Sequence, residues 1–189
     1  MDATRVKQYF ERVAGDWDSM RLAWYDERVI EELARRAHAA RSSTVLDVGT
    51  GTGFVAAGLG PRVARVVAVD QSPAILDVAR DNLRQLGIVN VELHEADMQR
   101  LPLATASVDA AVANMVLHHA EDPAVTLREM ARVTRPGGWV AVTDEVEHPY
   151  EWMRVEHADV WLGFSEDQVA GFFRAARLAH LGYAPLGMQ

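Results

Sequence analysis

The 189-residue chain contains no cysteine. This excludes disulfides, thiolate-bound zinc and a cysteine nucleophile, and it fits a reducing cytoplasm. Lysine is almost missing as well: Lys7 is the only one, and 19 Lys+Arg against 27 Asp+Glu leave a formal net charge of -8. Binding nucleic acid requires clustered basic residues to neutralise phosphates, so this balance argues against such a partner. No apolar run reaches the roughly 18 residues of a membrane span, and the amphipathic stretch after Met1-Asp2 does not read as a signal peptide. Repeats, low-complexity tracts and a domain linker are also missing. These absences point to one soluble, cytoplasmic domain, long enough to bury about 70% of its unfolded surface. Arginine in place of lysine, with abundant alanine, fits a GC-rich bacterial genome.

What the chain does have is the run Val45-Leu46-Asp47-Val48-Gly49-Thr50-Gly51-Thr52-Gly53, followed by Val66-Val67-Ala68-Val69-Asp70. It reads as a strand, a glycine turn and a second strand. Gly49, Gly51 and Gly53 let a flat polar ligand approach the main chain, and Asp70 at a strand end can accept hydrogen bonds from two vicinal ribose hydroxyls. The spacing is G-x-G-x-G, with bulky Phe54 and Val55 where a dinucleotide fingerprint needs its third glycine. Asp47 would repel a pyrophosphate and attract a cationic head. A positively charged nucleoside such as S-adenosylmethionine suits this turn better than a dinucleotide; a tight turn with no ligand is the alternative.

The periodicity predicts helices over 4–14 and 24–40, joined by a polar turn, Gly15 to Ser19, that serves as a lid or a surface linker. From Thr44 strands and helices alternate: strands 45–48, 65–69, 91–94, 108–113 and 139–143, with helices at about 54–59, 73–86 and 123–134. This pattern predicts an α/β, doubly wound, mostly parallel sheet with helices on both faces and an N-terminal helical cap. Ser72-Pro73 and Asp122-Pro123 are helix starts, Gly87 and Pro136-Gly137-Gly138 are stops, and Ser165 with Gln168 forms a capping box. One domain spans 1–189: a cap at 1–40, a cofactor-binding core at 41–143, and an acceptor-side connection, capped helix and final strand at 144–189.

Asp47 to Gly53, Asp70, Glu95-Ala96-Asp97-Met98, Val108 through His118-His119 and Arg135-Pro136-Gly137-Gly138-Trp139 together resemble the class I S-adenosylmethionine-dependent methyltransferases. The subgroup is similar to small-molecule enzymes of the ubiquinone and menaquinone type. A looser likeness, carried by Glu151-Trp152-Met153 and Asp159 to Ser165, is to methyltransferase domains of arsenic-repressor-type regulators. The resemblance implies a Rossmann-like sheet of order 3-2-1-4-5-7-6, S-adenosylmethionine as cofactor and a small-molecule acceptor. It implies that Gly49, Gly51 and Gly53 line the methionine and ribose, with Asp47 near the amino group and Asp70 on the ribose. Gln71, Asp97 and Met98 would meet the adenine, and Asn114 the methionine moiety. Tyr9 and Trp17 would close the site, or simply pack. Arsenite methylation, which uses thiolates in that family, is not implied, because the chain has none.

Methyl transfer needs alignment first and a base second. His119 is the candidate base; its alternative is to cap a turn or hold Asp122. Asp144, Glu145, Glu147, Glu151, Glu156 and Asp159, with His148 and His157, make the following connection acidic. A solvated helix face is the expectation there, and no metal set is assigned. Trp152, Trp161 and Phe164 would line an apolar acceptor or bury the same helix. His180 to Gln189 leave room for one strand at most, broken by Gly182 and Pro185, so the sheet is expected to lack its last strand through truncation or completion by a second copy. A noncatalytic S-adenosylmethionine-binding module is the competing function.

Overall fold

The computed structural model describes residues 3–179 and 182–187. Its centre is one sheet in which β1 (Thr44–Val48), β2 (Arg65–Asp70), β3 (Val91–Glu95), β4 (Val108–Asn114) and β5 (Thr134–Thr143) all pair in parallel. The order is β3-β2-β1-β4-β5. The central strands are runs of Val, Leu and Ala because both faces are covered. Alternate residues then go to opposite sides. On one side Val45, Val66, Ala68, Ala110 and Val112 pack with Val29, Ile30 and Leu33 of α3 (Arg28–Arg36) and with Val55, Ala56 and Leu59 of α4 (Phe54–Leu59). On the other, Leu46, Val48, Val67, Val69, Ala111 and Ala113 meet Leu127, Met130 and Val133 of α6 (Pro123–Val133) and Phe173 of α8 (Glu166–Ala175). The chain runs outward from β1 to β3, then returns to β1's other side as β4, and this reversal opens a crevice at the carboxyl ends of the strands.

Local chemistry sets the helix ends. Ser72 accepts from the Ile75 amide ahead of α5 (Pro73–Gln85), Asp122 accepts from Ala124 and Val125 ahead of α6, and Ser165 with Gln168 closes a full capping box on α8. The cap region differs from the sequence expectation. α1 (Ala3–Val13) is as expected, but Trp17–Met20 forms a further helical turn, α2, where a polar turn was predicted. α3 covers only part of 24–40: the Asp26 carboxylate takes the Arg28 amide at 3.0 Å and starts the helix there, and His38 ends it in a left-handed conformation, φ 47°. β5 begins at Thr134 rather than 139. Its register against β4 jumps between Val108 and Ala110, so the Pro136-Gly137-Gly138 stretch is an irregularity within the strand. The connection after β5 also holds a short helix, α7 (Met153–Glu156). Residues 182–187, where part of a final strand was expected, form no strand; His180, Leu181, Met188 and Gln189 lie outside the described residues.

Candidate active site

A cleft of about 700 Å3, its open mouth included, lies at the carboxyl ends of β1, β2 and β4. The glycine turn forms one wall. Gly49, Gly51 and Gly53 have φ of 68°, 54° and 86°. A Cβ on Gly49 would collide with Val116, and one on Gly53 would press on the Ala79 Cβ at 3.3 Å, so the turn can sit this close to its neighbours only with glycine there.

Asp70 ends β2 at the cleft. One carboxylate oxygen accepts from the Gly51 amide and the other from the Ser72 amide, both at 3.0 Å, which fixes the plane of the group while each oxygen keeps a lone pair. Burial raises its pKa, opposed by the Ser72, Gly51 and Gln71 amides. Asp47 lies beneath the turn, 1% exposed, accepting from the Thr50 hydroxyl at 2.7 Å. Burial pushes its pKa up to about 7; the Thr50 hydroxyl opposes this and the nearby Asp70 charge adds to it.

The cap closes over this wall. Asp18 of α2 accepts from the Thr52 hydroxyl at 2.7 Å and from the Asn82 amide at 2.8 Å, and Asn82 also reaches the Thr52 carbonyl at 3.1 Å. The Arg21 guanidinium covers the Phe54 ring at 3.7 Å. These links tie the cap to the glycine turn and to α5, and they set Trp17 beside Gly51.

Gly49, Gly51, Asp70, Gln71, Met98, Asn114, Trp17 and His119 all line the cleft. Asp47 and Gly53 support it from behind. Asp97 is engaged by the Gln99 amide at 2.8 Å and does not reach the lining. Tyr9 is turned away: it is 4% exposed, and its hydroxyl shares a hydrogen bond of 3.1 Å with His157 Nδ1. The carboxamide oxygen of Asn114 accepts from Thr143. Sequence reasoning missed Val6, Phe10, Tyr25, Ala96, Met115 and Val116 as lining residues. The apolar stripe of α1 carried a signal for Phe10, but nothing marked Met115, which takes a left-handed φ of 51° at the end of β4.

His119 is 5% exposed and lines the cleft, with the Phe10 ring set edge-on against it at 5.0 Å. Its Nδ1 faces the Ala158 carbonyl at 3.3 Å. Burial and the neighbouring His118 hold its pKa well below the usual imidazole value, only partly offset by that carbonyl. It does not hold Asp122, which is occupied as the α6 cap. His118 behaves oppositely: burial alone would lower it, but Asp144 at 2.6 Å, aided by Glu145 and Asp159, lifts it to about 9. The acidic connection is not simply a solvated face, because the side chains of Asp144, Glu145 and Asp159 are 7%, 11% and 1% exposed. Trp161 and Phe164 pack with Phe172 against the core rather than lining the cleft, while Trp152 is exposed.

A methyltransferase-domain family model matches residues 46–142, half of the chain and most of the sheet. The methyltransferase GfsG of Streptomyces halstedii is 40% identical over 127 residues, covering 66% of this chain and 46% of that protein. The malonyl-[acyl-carrier protein] O-methyltransferase of Hahella chejuensis is 33% identical over 143 residues, 73% of this chain and 48% of its own length. The chain thus spans about half of these relatives. The crystal structure of an S-adenosylmethionine-dependent methyltransferase from Aquifex aeolicus superposes with a TM-score of 0.67 at 26% identity, covering 93% of this chain and 88% of that one. With the strand order, the glycine turn and the carboxylate at the end of β2 all in agreement, the chain belongs to the class I S-adenosylmethionine-dependent methyltransferase family.

Proposed function

We propose that the protein transfers the methyl group of S-adenosylmethionine to a small-molecule acceptor at the cleft between the glycine turn and His119. The observation that carries this reading is Asp70, whose carboxylate is fixed by two backbone amides at the cleft wall and still has lone pairs for a ribose diol. Gly49 and Gly51 line the cleft beside Asp70 and leave the main chain open to a ligand, so the residues present fit the cofactor. When bound, S-adenosylmethionine supplies an electrophilic methyl on a sulfonium.

The chain's own contribution is to hold and to exclude. Asp70 and Gln71 would hold the nucleoside, Met98 and Ala96 would cover the base, and Gly49 and Gly51 would pass the methionine part along the turn. Asp47, just below, would be drawn toward its charged form by an ammonium group. Trp17, Phe10 and Tyr25 cover the cleft and keep water out. Orientation of this kind recovers roughly 7 to 11 kcal/mol of a bimolecular barrier. His119 faces the acceptor side as a neutral imidazole. With Nδ1–H donated to Ala158, its Nε2 lone pair accepts a hydrogen bond or a proton from the acceptor.

Residues 1–40 serve as cap, 41–143 as cofactor core and 144–189 as acceptor side. No helix among the described residues is long and apolar enough to cross a membrane. The arginine-for-lysine and alanine bias supports a bacterial enzyme, the lack of cysteine fits the cytoplasm, and the net charge of -8 argues against a nucleic-acid partner. The open edge of β5 supports a homodimer.

The test is calorimetric titration with S-adenosylmethionine and S-adenosylhomocysteine, followed by S-adenosylhomocysteine release across a panel of hydroxyl, amine and carbon acceptors. Saturable binding with turnover on one acceptor is expected. Binding without turnover on any would favour the noncatalytic module, and no binding would reject the site.

A further inference from the structure

Behind His119, the buried Asp159 and the part-buried Asp144 and Glu145 meet three histidines. Two of the carboxylates are partnered. Asp144 receives His118 Nδ1 at 2.6 Å and the Leu117 amide at 2.9 Å, and Glu145 receives His148 Nε2 at 2.9 Å. Asp159 is different. Its side chain is 1% exposed, and among the described residues neither of its oxygens accepts a hydrogen bond. No arginine or lysine forms an ion pair with Asp144, Glu145 or Asp159 among the described residues; their ion-pair neighbours are all histidines. The cation facing it is the His118 imidazole, lifted to about 9, but its Nε2 stands 3.8 Å away, beyond hydrogen-bond reach, and a buried carboxylate with no donor is costly unless a group bonds to it directly.

We infer that Asp159, His118 and His119 form a binding site for a divalent first-row transition-metal ion. His118 Nε2 and His119 Nδ1 lie 3.8 and 4.0 Å from Asp159 Oδ1, and the donor atoms of the three residues all fall within 4.8 Å of one another. Donors bonded at about 2.0–2.2 Å to one ion stand roughly 3.0–3.5 Å apart, so the two nitrogens need to close on Asp159 by about 0.5 Å and the three donors, within 4.8 Å of one another, by at most about 1.3 Å. The far side of His118 is already arranged for a ligand: Nδ1 is held by Asp144, leaving Nε2 directed at Asp159. That carboxylate–imidazole pairing is what usually orients a metal-bound histidine. Two imidazoles with one carboxylate favour zinc, iron, cobalt or nickel over magnesium or calcium.

The main chain holds the group in place. The amides of Val160 and Trp161 both donate to the His118 carbonyl, at 3.0 and 2.9 Å, and Ala158 adopts a left-handed φ of 63°. The loop carrying Asp159 is thereby pinned to the turn that carries both histidines. Glu145 and His148 form a second group with the same Asp159 and bring further negative charge to its other side. His119 belongs both to the ion site and to the wall of the cleft. Binding through Nδ1 exchanges the 3.3 Å contact with Ala158 for the ion and leaves Nε2–H facing the cleft as a donor, so the ion-bound form orients an acceptor and the ion-free form is the one that can take its proton. Ion binding itself does not rest on the methyl-transfer reading.

The experiment uses the full chain, stripped with chelator and titrated with cobalt(II) while the visible d–d absorption is recorded, then with zinc(II) in competition. One ion per chain is expected, with a cobalt band that zinc abolishes and an equal concentration of magnesium leaves intact. Asp159→Asn, nearly isosteric and relieved of its buried charge, should weaken binding about 100-fold or more. Asp144→Asn, which loses only the orienting partner, should weaken it about 10- to 100-fold. His118→Gln should lose the band, and His148→Gln should keep it. Circular dichroism establishes that each variant is folded. The absence of a band in the wild type, wild-type affinity in Asp159→Asn, or loss in His148→Gln with retention in His118→Gln would each overturn the assignment. If S-adenosylmethionine binding fails while cobalt binding holds, the methyl-transfer reading is lost and this one stands.

Discussion

At the residue scale the two carboxylates of the glycine turn separate by what surrounds them. Asp70 is fixed by two amides and opens on the cleft, so removing it should act on ligand affinity. Asp70→Ala is expected to weaken S-adenosylmethionine binding by about 1.5 to 3 kcal/mol, the value of hydrogen bonds to a charged group. Calorimetry that returned unchanged affinity would remove Asp70 from the ribose site. Asp47 is buried with a like charge nearby, only partly offset by the Thr50 hydroxyl and the Ala56 amide, and this should act on stability. Its folded pKa, about 7, stands above the ordinary value of 3.8. The native state therefore holds a proton that the unfolded chain has released, and the associated stability is fully present below about 3.8 and is lost as pH rises through 7. The slope is about 1.4 kcal/mol per pH unit for one proton. In urea denaturation of the ligand-free protein between those pH values, Asp47→Asn should lose stability less steeply than the wild type as pH rises. Parallel profiles would show that Asp47 does not titrate there.

At the element scale, what could be read from the sequence is what local chemistry decides. The starts at Ser72-Pro73, Asp122-Pro123 and Ser165 fell where capping side chains precede proline or a capping-box glutamine, and all three helices begin there. The parallel strands were equally plain, because a strand buried on both faces leaves an uninterrupted apolar run. What could not be read depends on distant partners. α2 was missed because its anchor, Asp18, gains its meaning only from Thr52 and Asn82. Asp159 looked like one acid in a solvated series until the chain folded it beneath His118. Tyr9 sat on an apolar stripe whose direction only the packed helix reveals. The Asp18 links give a prediction at this scale: Asp18→Ala should release α2 from the glycine turn and raise the S-adenosylmethionine dissociation constant about tenfold. Its unfolding midpoint without ligand should move far less than that of Asp122→Ala, which loses a helix cap worth about 1 kcal/mol. Equal affinity in wild type and Asp18→Ala would mean that the cap takes no part in holding the ligand.

At the scale of the whole molecule, the cleft lies where separately packed parts meet. Val6 and Tyr9 of the cap form their own small cluster with Ala158 of the acceptor-side connection, while the sheet carries the two large cores. Within the cap, α3 packs into the core on the sheet, while α1 and α2 are joined to the glycine turn around Trp17, Asp18 and Phe54, at the rim of the cleft. A ligand held between Asp70 and the cap therefore adds contacts between the glycine turn and α1 and α2. Binding to the native state alone at 100 times the dissociation constant stabilises by about 2.7 kcal/mol. For a chain of this size that is a rise of about 5–10 °C in the unfolding midpoint. S-adenosylhomocysteine should produce the same shift, and NADH should produce none. Limited proteolysis should slow most between Asp16 and Ala23, because that segment closes the cleft. A midpoint that rises with no change in cleavage there would mean that the ligand binds the sheet without drawing the cap down.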